Sequence, residues 1–307
     1  MTKVFIDGSA GTTGLRIFDR IKNFEDINLI TLPEELRKND SARAEAINSA
    51  DVVFLCLPDD AARQAVSFVT NKNTAVIDTS TAHRTCEGWV YGFPELSGKR
   101  EQIKNSKFIA NPGCHASGFI ALVSPLIEAG VLSPDEAISC FSLTGYSGGG
   151  MKMIAEYEEG KTPLLSAPRQ YGLTQQHKHL KEMQIISNIN CPPVFCPIVG
   201  DFYSGMEVTV PLHMKNIKAT VSDIKNIYKE YYTGKLVHFE ENNDENGFLS
   251  AAALSGRDDM EISLSGNEER VILVARYDNL GKGASGAAIQ NMNILLGSDE
   301  GKGLIFS

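Results

Sequence analysis

Six cysteines are the residues of this 307-residue chain best suited to covalent chemistry, and one of them stands apart by its neighbours. Asn111-Pro112-Gly113-Cys114 runs directly into the helix-like segment HASGFIALVSPLI, which places Cys114 at a helix start. There the helix dipole and the free N–H groups favour a thiolate, and the same N–H groups can hold an oxyanion. The chemistry this predicts is attack by sulfur on a carbonyl carbon. Cys56 and Cys140 fall inside apolar strand-like runs, Cys191 and Cys196 flank a proline-rich turn, and Cys86 lies in a polar loop. These five read as ordinary small side chains, and no paired spacing points to a zinc site or a redox dithiol.

A thiolate nucleophile needs a proton-transfer partner. Gln176-His177-Lys178-His179 offers two imidazoles at i and i+2. On a helix these point about 200° apart, so one of the two is expected to face a given site. His115 adjoins Cys114, but adjacent side chains usually diverge; His213 and His238 have strand-like surroundings.

A second constellation is the stretch GSAGTTG between an apolar run and a helical pattern, with Gly8, Gly11 and Gly14. A tight glycine turn before a helix lets a phosphate approach backbone N–H groups at the positive helix end. The next strand ends in Thr31-Leu32-Pro33 without the acidic residue that takes a ribose 2′-OH. Glu34 and Glu35 follow, then Arg37 and Lys38, a cationic pair that suits a 2′-phosphate and predicts NADP.

The elements that must position these residues fall into two rhythms. Strands are predicted over 3–7, 27–32, 51–57, 74–79 and 108–110, with helices near 15–21, 42–50 and 61–70 between them. The near-continuous apolar runs suit strands covered on both faces, and the alternation predicts a doubly wound parallel sheet. After about residue 112 the pattern changes to a helix over 114–128 and strands over 137–143, 193–199, 206–213 and 270–277. Few helices separate those strands, so an α+β domain with a largely antiparallel sheet is expected. Helices are also expected over 221–232 and 283–296, with a polar loop over 242–247.

The chain resembles the short-form (type 2) N-acetyl-γ-glutamyl-phosphate reductases of arginine biosynthesis over essentially its whole length. The motifs that carry this are GSAGTTG, DTSTAHR (78–84), YGFPEL (91–96), NPGCHASG (111–118), TGYSGGG (144–150), HKHLKEM (177–183), PIVGDFYSGM (197–206) and DNLGKGASGAAIQNMN (278–293). The resemblance implies a Rossmann-like doubly wound NADP-binding domain with an inserted α+β catalytic and dimerisation domain, as in semialdehyde dehydrogenases. It implies Cys114 as the catalytic cysteine and His179 as the catalytic histidine, since His179 precedes Leu180-Lys181-Glu182 in the family's His-x-x-Glu pattern. Gly8, Gly11, Thr12, Thr13, Gly14, Arg37, Ser80, Asn279, Lys282 and Gly283 are the expected cofactor residues. Asn111, Ser147, Gly148 and Arg84 are expected near the substrate. The last motif implies a helix that returns to the nucleotide domain, so the expected division is 1–112 plus 280–307 against 113–279.

The activity so implied is NADPH-dependent reduction of an acyl phosphate to a semialdehyde through a cysteine thioester. An aspartate-semialdehyde-type dehydrogenase shares the plan, but NPGC differs from its NCS-type motif. A carrier-linked amino-adipyl or glutamyl phosphate reductase is a closer variant, and a non-catalytic NADP-binding protein is disfavoured by the intact Cys114 and His179. A net charge of −9 and the lack of a Lys/Arg run argue against nucleic acid as partner. No stretch approaches a membrane span and no signal peptide precedes the first strand, so a cytoplasmic enzyme is expected. The resemblance suggests a homo-oligomer, dimer or tetramer, and the chemistry requires no metal.

Overall fold

The structure, a computed structural model, describes residues 1–306, and the chain divides into two compact units. The first comprises 1–113 and 284–304, the second 114–283 and 305–306.

In the first unit the strands are β1 (Thr2–Asp7), β2 (Ile27–Ile30), β3 (Val52–Leu55), β4 (Ala75–Asp78), β5 (Val90–Tyr91) and β6 (Phe108–Ala110), in the order β2-β1-β3-β4-β6-β5. Every pairing in this sheet is parallel. Helices α1 (Thr12–Ile21), α2 (Asp40–Ser49), α3 (Asp59–Ser67) and α4 (Lys99–Lys104) connect them. Successive residues of one strand point to opposite faces. Val4, Ile6, Phe54 and Ile77 therefore pack on one side with Ile17 and Ile21 of α1 and with Ala288, Ile289 and Met292 of the returning helix Gly286–Leu295. Phe5, Val53, Leu55 and Val76 pack on the other with Ile47 of α2 and Ala62 and Ala65 of α3. Burial on both faces is what the continuous apolar runs predicted. The strand order reverses at β1, and the glycine loop leaves that strand at its carboxyl end, the usual place for a ligand crevice.

In the second unit α5 (Cys114–Glu128) is buried along almost its whole length. It packs against a sheet built from β7 (Ser139–Gly145), β8 (Arg169–Gln170), β9 (Val194–Gly200), β10 (Met206–His213), β11 (Val237–Phe239), β12 (Met260–Gly266) and β13 (Arg270–Tyr277), ordered β11-β12-β13-β10-β7-β9-β8. The central pairings β7–β10–β13–β12 are antiparallel, while β7–β9 and β11–β12 are parallel. Pro125 lies inside α5 and has no N–H for the Ala121 carbonyl. The Tyr232 hydroxyl donates to that oxygen at 2.7 Å, and the hydroxyl of Tyr228 donates to Leu122 O at 2.5 Å. The other helices of this unit are α6 (Gly150–Glu158), α7 (Leu180–Ile186) and α8 (Val221–Tyr231), the last carrying Tyr228. The short strands β5, β8 and β11 and helices α4, α6 and α7 carry too few periodic positions to have been read from the sequence. No helix among the described residues is long and apolar enough to cross a membrane.

Candidate active site

Each unit carries one site. In the first, a cavity of about 730 Å³ opens beside the carboxyl ends of β1 and β2, lined by Gly8, Ser9, Ala10, Leu32, Arg37 and Lys38 among others. Gly8 has φ +88°, and a Cβ there would stand 2.2 Å from Cys56 O, so the turn admits only glycine. Gly11 begins α1 without a side-chain cap, and Thr12, Thr13 and Gly14 form its first turn. Uncapped N–H groups at a helix start next to a cavity fit the phosphates of a dinucleotide. Arg37 Nε donates to Leu32 O at 3.4 Å. An unforeseen pair lies deeper: Arg43 Nη2 donates to Asp7 Oδ2 at 2.9 Å, with both side chains buried. Burial raises the Asp7 carboxyl above its usual range, against the opposing pull of the Arg43 hydrogen bond and charge. Arg43 Nη1 also reaches Asp40 Oδ1 at 3.2 Å. Arg43 sits in a helix-like run with no motif of its own, so nothing in the sequence singled it out.

Three other predicted residues of this unit are turned inward. Ser80 Oγ donates to Asp78 Oδ2 at 2.8 Å and does not line the cavity. Arg84 Nε donates to Asn111 O at 3.0 Å and its Nη2 to Thr79 O at 3.1 Å. The Asn111 amide donates to Ala284 O at 3.0 Å and accepts from Asn291 Nδ2 at 3.2 Å. The sequence reading gave Ser80 to the cofactor and Arg84 and Asn111 to the substrate. In the structure their bonds also brace the strand ends and the turn that leads into Cys114, because buried guanidinium and amide groups must find partners nearby.

In the second unit Cys114 is partly exposed at the first residue of α5. The Tyr277 hydroxyl donates to Cys114 O at 2.5 Å and accepts from Gly118 N–H at 3.0 Å, which clamps the first turn. Gly118 leaves room for it: a Cβ there would lie 2.8 Å from that hydroxyl. Tyr277 is fully buried, and burial, then the nearby Cys114, raise its hydroxyl well above the usual range. Gly283 lies close by, since a Cβ on it would come within 3.1 Å of Cys114 Cβ. It belongs to the π-helical turn Gly281–Ser285 with the buried Lys282. Asn279 is also buried; its Nδ2 donates to Ser147 Oγ at 3.0 Å and its Oδ1 accepts from Gly205 N–H at 2.9 Å. Gly148 lies beside Asn279 and Thr144. Asn279, Lys282 and Gly283, read as cofactor residues, thus stand in the same unit as Cys114, Ser147 and Gly148 and outside the cavity of the first.

His177 and His179 are not on a helix, as the i, i+2 argument assumed. They lie in the turn before α7, with rings 4.7 Å apart and both within 6 Å of the His115 ring. The turn is set by Gln175, whose side chain donates to Phe195 O at 2.7 Å and accepts from Phe195 N–H at 2.9 Å, much as a strand neighbour does. The His179 N–H donates to His177 Nδ1 at 3.2 Å, so His177 carries its proton on Nε2 when neutral. His179 is buried and immediately precedes α7. Its neighbour in the cluster, His115, does diverge from Cys114, into a buried pocket with Ser142 and Tyr171. Sequence reasoning missed Ser142, Tyr171 and Tyr277, which carry no motif of their own. The remaining cysteines have no such setting: burial pushes Cys56 up to about 12 and raises Cys140, while Cys86 and Cys191 are exposed.

Residues 24–106 match the model of the semialdehyde dehydrogenase NAD binding domain, and residues 114–279 that of the semialdehyde dehydrogenase dimerisation domain. The chain is 45% identical to N-acetyl-gamma-glutamyl-phosphate reductase 2 of Nostoc sp., over 98% of this chain and 99% of that protein. It is 44% identical to N-acetyl-gamma-glutamyl-phosphate reductase of Brucella ovis, over 96% and 99%. Among solved structures, aspartate semialdehyde dehydrogenase II of Vibrio cholerae complexed with ASA has a TM-score of 0.73 at 16% identity, covering 96% of this chain and 98% of that one. Aspartate semialdehyde dehydrogenase of Candida albicans with NADP has a TM-score of 0.67 at 17% identity, over 96% and 98%. These two establish a shared fold.

Proposed function

The chain belongs to the semialdehyde dehydrogenase family and, within it, to the N-acetyl-gamma-glutamyl-phosphate reductases, and from that premise we propose how its residues carry out the reaction. The substrate is N-acetyl-γ-glutamyl phosphate, the product N-acetylglutamate 5-semialdehyde and phosphate, in arginine biosynthesis. The observation that carries the reading is the partly exposed Cys114 at the start of α5, held by Tyr277 and followed by His115, whose ring clusters with His177 and His179.

The Cys114 thiolate attacks the γ-acyl carbon, and phosphate leaves with the electron pair of the C–O bond, giving a thioester. A reduced nicotinamide cofactor, when bound, supplies the hydride that this thioester carbon accepts. N–H groups of the first turn of α5 hold the oxyanion at each tetrahedral stage, because they are already oriented and need no reorganisation. His179 gives a proton to that oxygen and takes it back as the C–S bond breaks, releasing aldehyde and returning the thiolate. Ser147, fixed by Asn279, and Gly148 line the substrate. The unit of residues 1–113 with 284–304 would be the nucleotide-binding domain and that of 114–283 the catalytic domain, the return crossing falling four residues after the expected 280.

The bound cofactor is a pyridine nucleotide, and Arg37 with Lys38 on the cavity wall favours its 2′-phosphorylated form, NADP. The α1 N-terminus with Gly8, Gly11, Thr12, Thr13 and Gly14 would take its pyrophosphate. The dimerisation-domain match supports a homo-oligomer, and exposed Phe141, Val194 and Ile272 on the sheet of the second unit supply apolar surface for a second copy.

The deciding experiment runs the reaction backwards, measuring phosphate-dependent NADP reduction with several semialdehydes side by side. Turnover with N-acetylglutamate semialdehyde, at least tenfold above aspartate semialdehyde, is expected. Turnover with aspartate semialdehyde alone overturns the substrate assignment.

A further inference from the structure

The hydrogen-bond ladder of an α-helix runs from each N–H to the carbonyl four residues back. In α5, which starts at Cys114, the ladder bond of the nucleophile's own carbonyl therefore comes from Gly118 N–H. The Tyr277 hydroxyl touches both ends of it, accepting from Gly118 N–H at 3.0 Å and donating to Cys114 O at 2.5 Å. Phenylalanine would fill the same buried space with no polar group to satisfy. A hydroxyl taken out of water is costly unless bonded, and here both bonds go to the one turn that carries the sulfur.

Tyr277 is itself firmly held. It ends β13, paired with Met206 of β10 on one side and Met260 of β12 on the other. The next residue, the buried Asp278, fixes the exit of the strand. Its Oδ1 accepts from Leu280 N–H at 2.7 Å, and its Oδ2 accepts from Gly256 N–H at 2.6 Å and Ser204 Oγ at 3.1 Å. The phenol ring lies in a slot between two glycines: a Cβ on Gly118 would stand 2.9 Å from Cε1, and one on Gly283 would stand 3.4 Å from Cε2. The hydroxyl is thus a fixed point of the sheet presented to the helix.

Two further tyrosines bond α5 along its length, Tyr232 at Ala121 O and Tyr228 at Leu122 O, in the turn before Pro125. They hold the body of the helix. Of the three, Tyr277 reaches its start, where a helix is held least by its own bonds.

We propose that Tyr277 is the positioning residue of the nucleophile: its hydroxyl ties the Cys114 peptide to the sheet and holds the sulfur at the place from which it attacks the acyl carbon. The inference rests on the assignment of Cys114 as nucleophile. Tyr277 touches neither substrate nor cofactor in this role and acts through the first turn of α5. A small displacement of a reacting atom is enough to slow a reaction while the binding contacts, made by other residues, persist.

The test compares two substitutions that each remove one hydroxyl from the α5 backbone, Tyr277→Phe and Tyr232→Phe, in the full chain. Tyr277→Phe is expected to lower kcat about ten- to hundredfold, with KM for the acyl phosphate and for NADPH within about twofold of the parent. Tyr232→Phe is expected to lower the melting temperature and to keep the parental kcat. Parental kcat in folded Tyr277→Phe overturns the proposal. An equal loss of kcat in both variants also overturns it, because any loosening of α5 would then suffice. Should Tyr277→Phe fail to fold, 4-fluorophenylalanine introduced at position 277 fills the space of the hydroxyl without donating, and parental kcat in that protein overturns the proposal in the same way. Error in the nucleophile assignment shows separately, as reductase turnover of the parent that survives complete alkylation of Cys114 by iodoacetamide.

Discussion

Both units present the start of a helix, and they use it differently. α1 follows a glycine turn, begins at Gly11 without a side-chain cap, and offers backbone N–H groups beside an open cavity. α5 follows Asn-Pro-Gly, begins at a cysteine, and is buried almost throughout, with Tyr277 clamped to its first turn. The same positive helix end therefore receives a visiting anion in one unit and favours an anion generated in place in the other. The first asks its residues for absence of bulk; the second asks for particular side chains held by other side chains.

The largest expected effect separates these two demands. Cys114→Ala leaves the helix start, its N–H groups and the first unit untouched, but removes the sulfur that becomes the thioester. Turnover should fall by at least about 10³-fold, the loss typical when a nucleophile is deleted. Cofactor affinity, followed by fluorescence titration, should change by less than about twofold, since only the second unit is altered. Measurable steady-state turnover in this variant removes Cys114 from the chemistry.

A substitution at the other helix start should act through the backbone. A methyl on Gly8 meets the Cys56 carbonyl at 2.2 Å in a conformation of positive φ. Gly8→Ala is expected to destabilise the chain by about 2–3 kcal/mol, through strain and a forced shift of β3's outgoing strand end. Thermal unfolding measures the loss, and the folded fraction should bind cofactor more weakly while Cys114 alkylates at its normal pH midpoint. Parental stability and affinity together would show that the turn tolerates bulk and that the contrast drawn here fails.

This difference also decides what was legible beforehand. Gly8, the uncapped α1 and the apolar runs of β1 and β3 are local, so period and composition displayed them before any fold was known. α5 could be placed to the residue because NPGC marks its start and a continuous apolar run marks its length. The histidines were legible as residue types and not as geometry: a helical i, i+2 pair would have been split, whereas the Gln175 turn brings both rings onto His115. Ser142, Tyr171 and Tyr277 come from three separate strands or strand ends, and only the register of the second sheet brings them to α5. Arg84 and Asn111 were legible as charged and amide groups in a motif. Their partners were not: Arg84 holds the Asn111 and Thr79 carbonyls, and Asn111 holds Ala284 and Asn291, far away in sequence.

The smallest expected effect lies at the rim of the first cavity, where side chains do matter. Arg37 is exposed and tethered to Leu32 O, with Lys38 next to it, and Glu34 and Asp40 line the same wall. Water screens a guanidinium there, so its pairing with a 2′-phosphate is worth about 1 kcal/mol. Arg37→Ala should raise KM for NADPH about five- to tenfold, leave kcat unchanged and leave NADH kinetics unaltered, because NADH lacks the phosphate that Arg37 would meet. The Glu34 and Asp40 carboxylates, freed of a cationic neighbour, would act against a phosphate and not against a ribose hydroxyl. An equal rise in KM for both cofactors would place Arg37 in general support of the cavity wall, and selection of NADP would then fall to other residues.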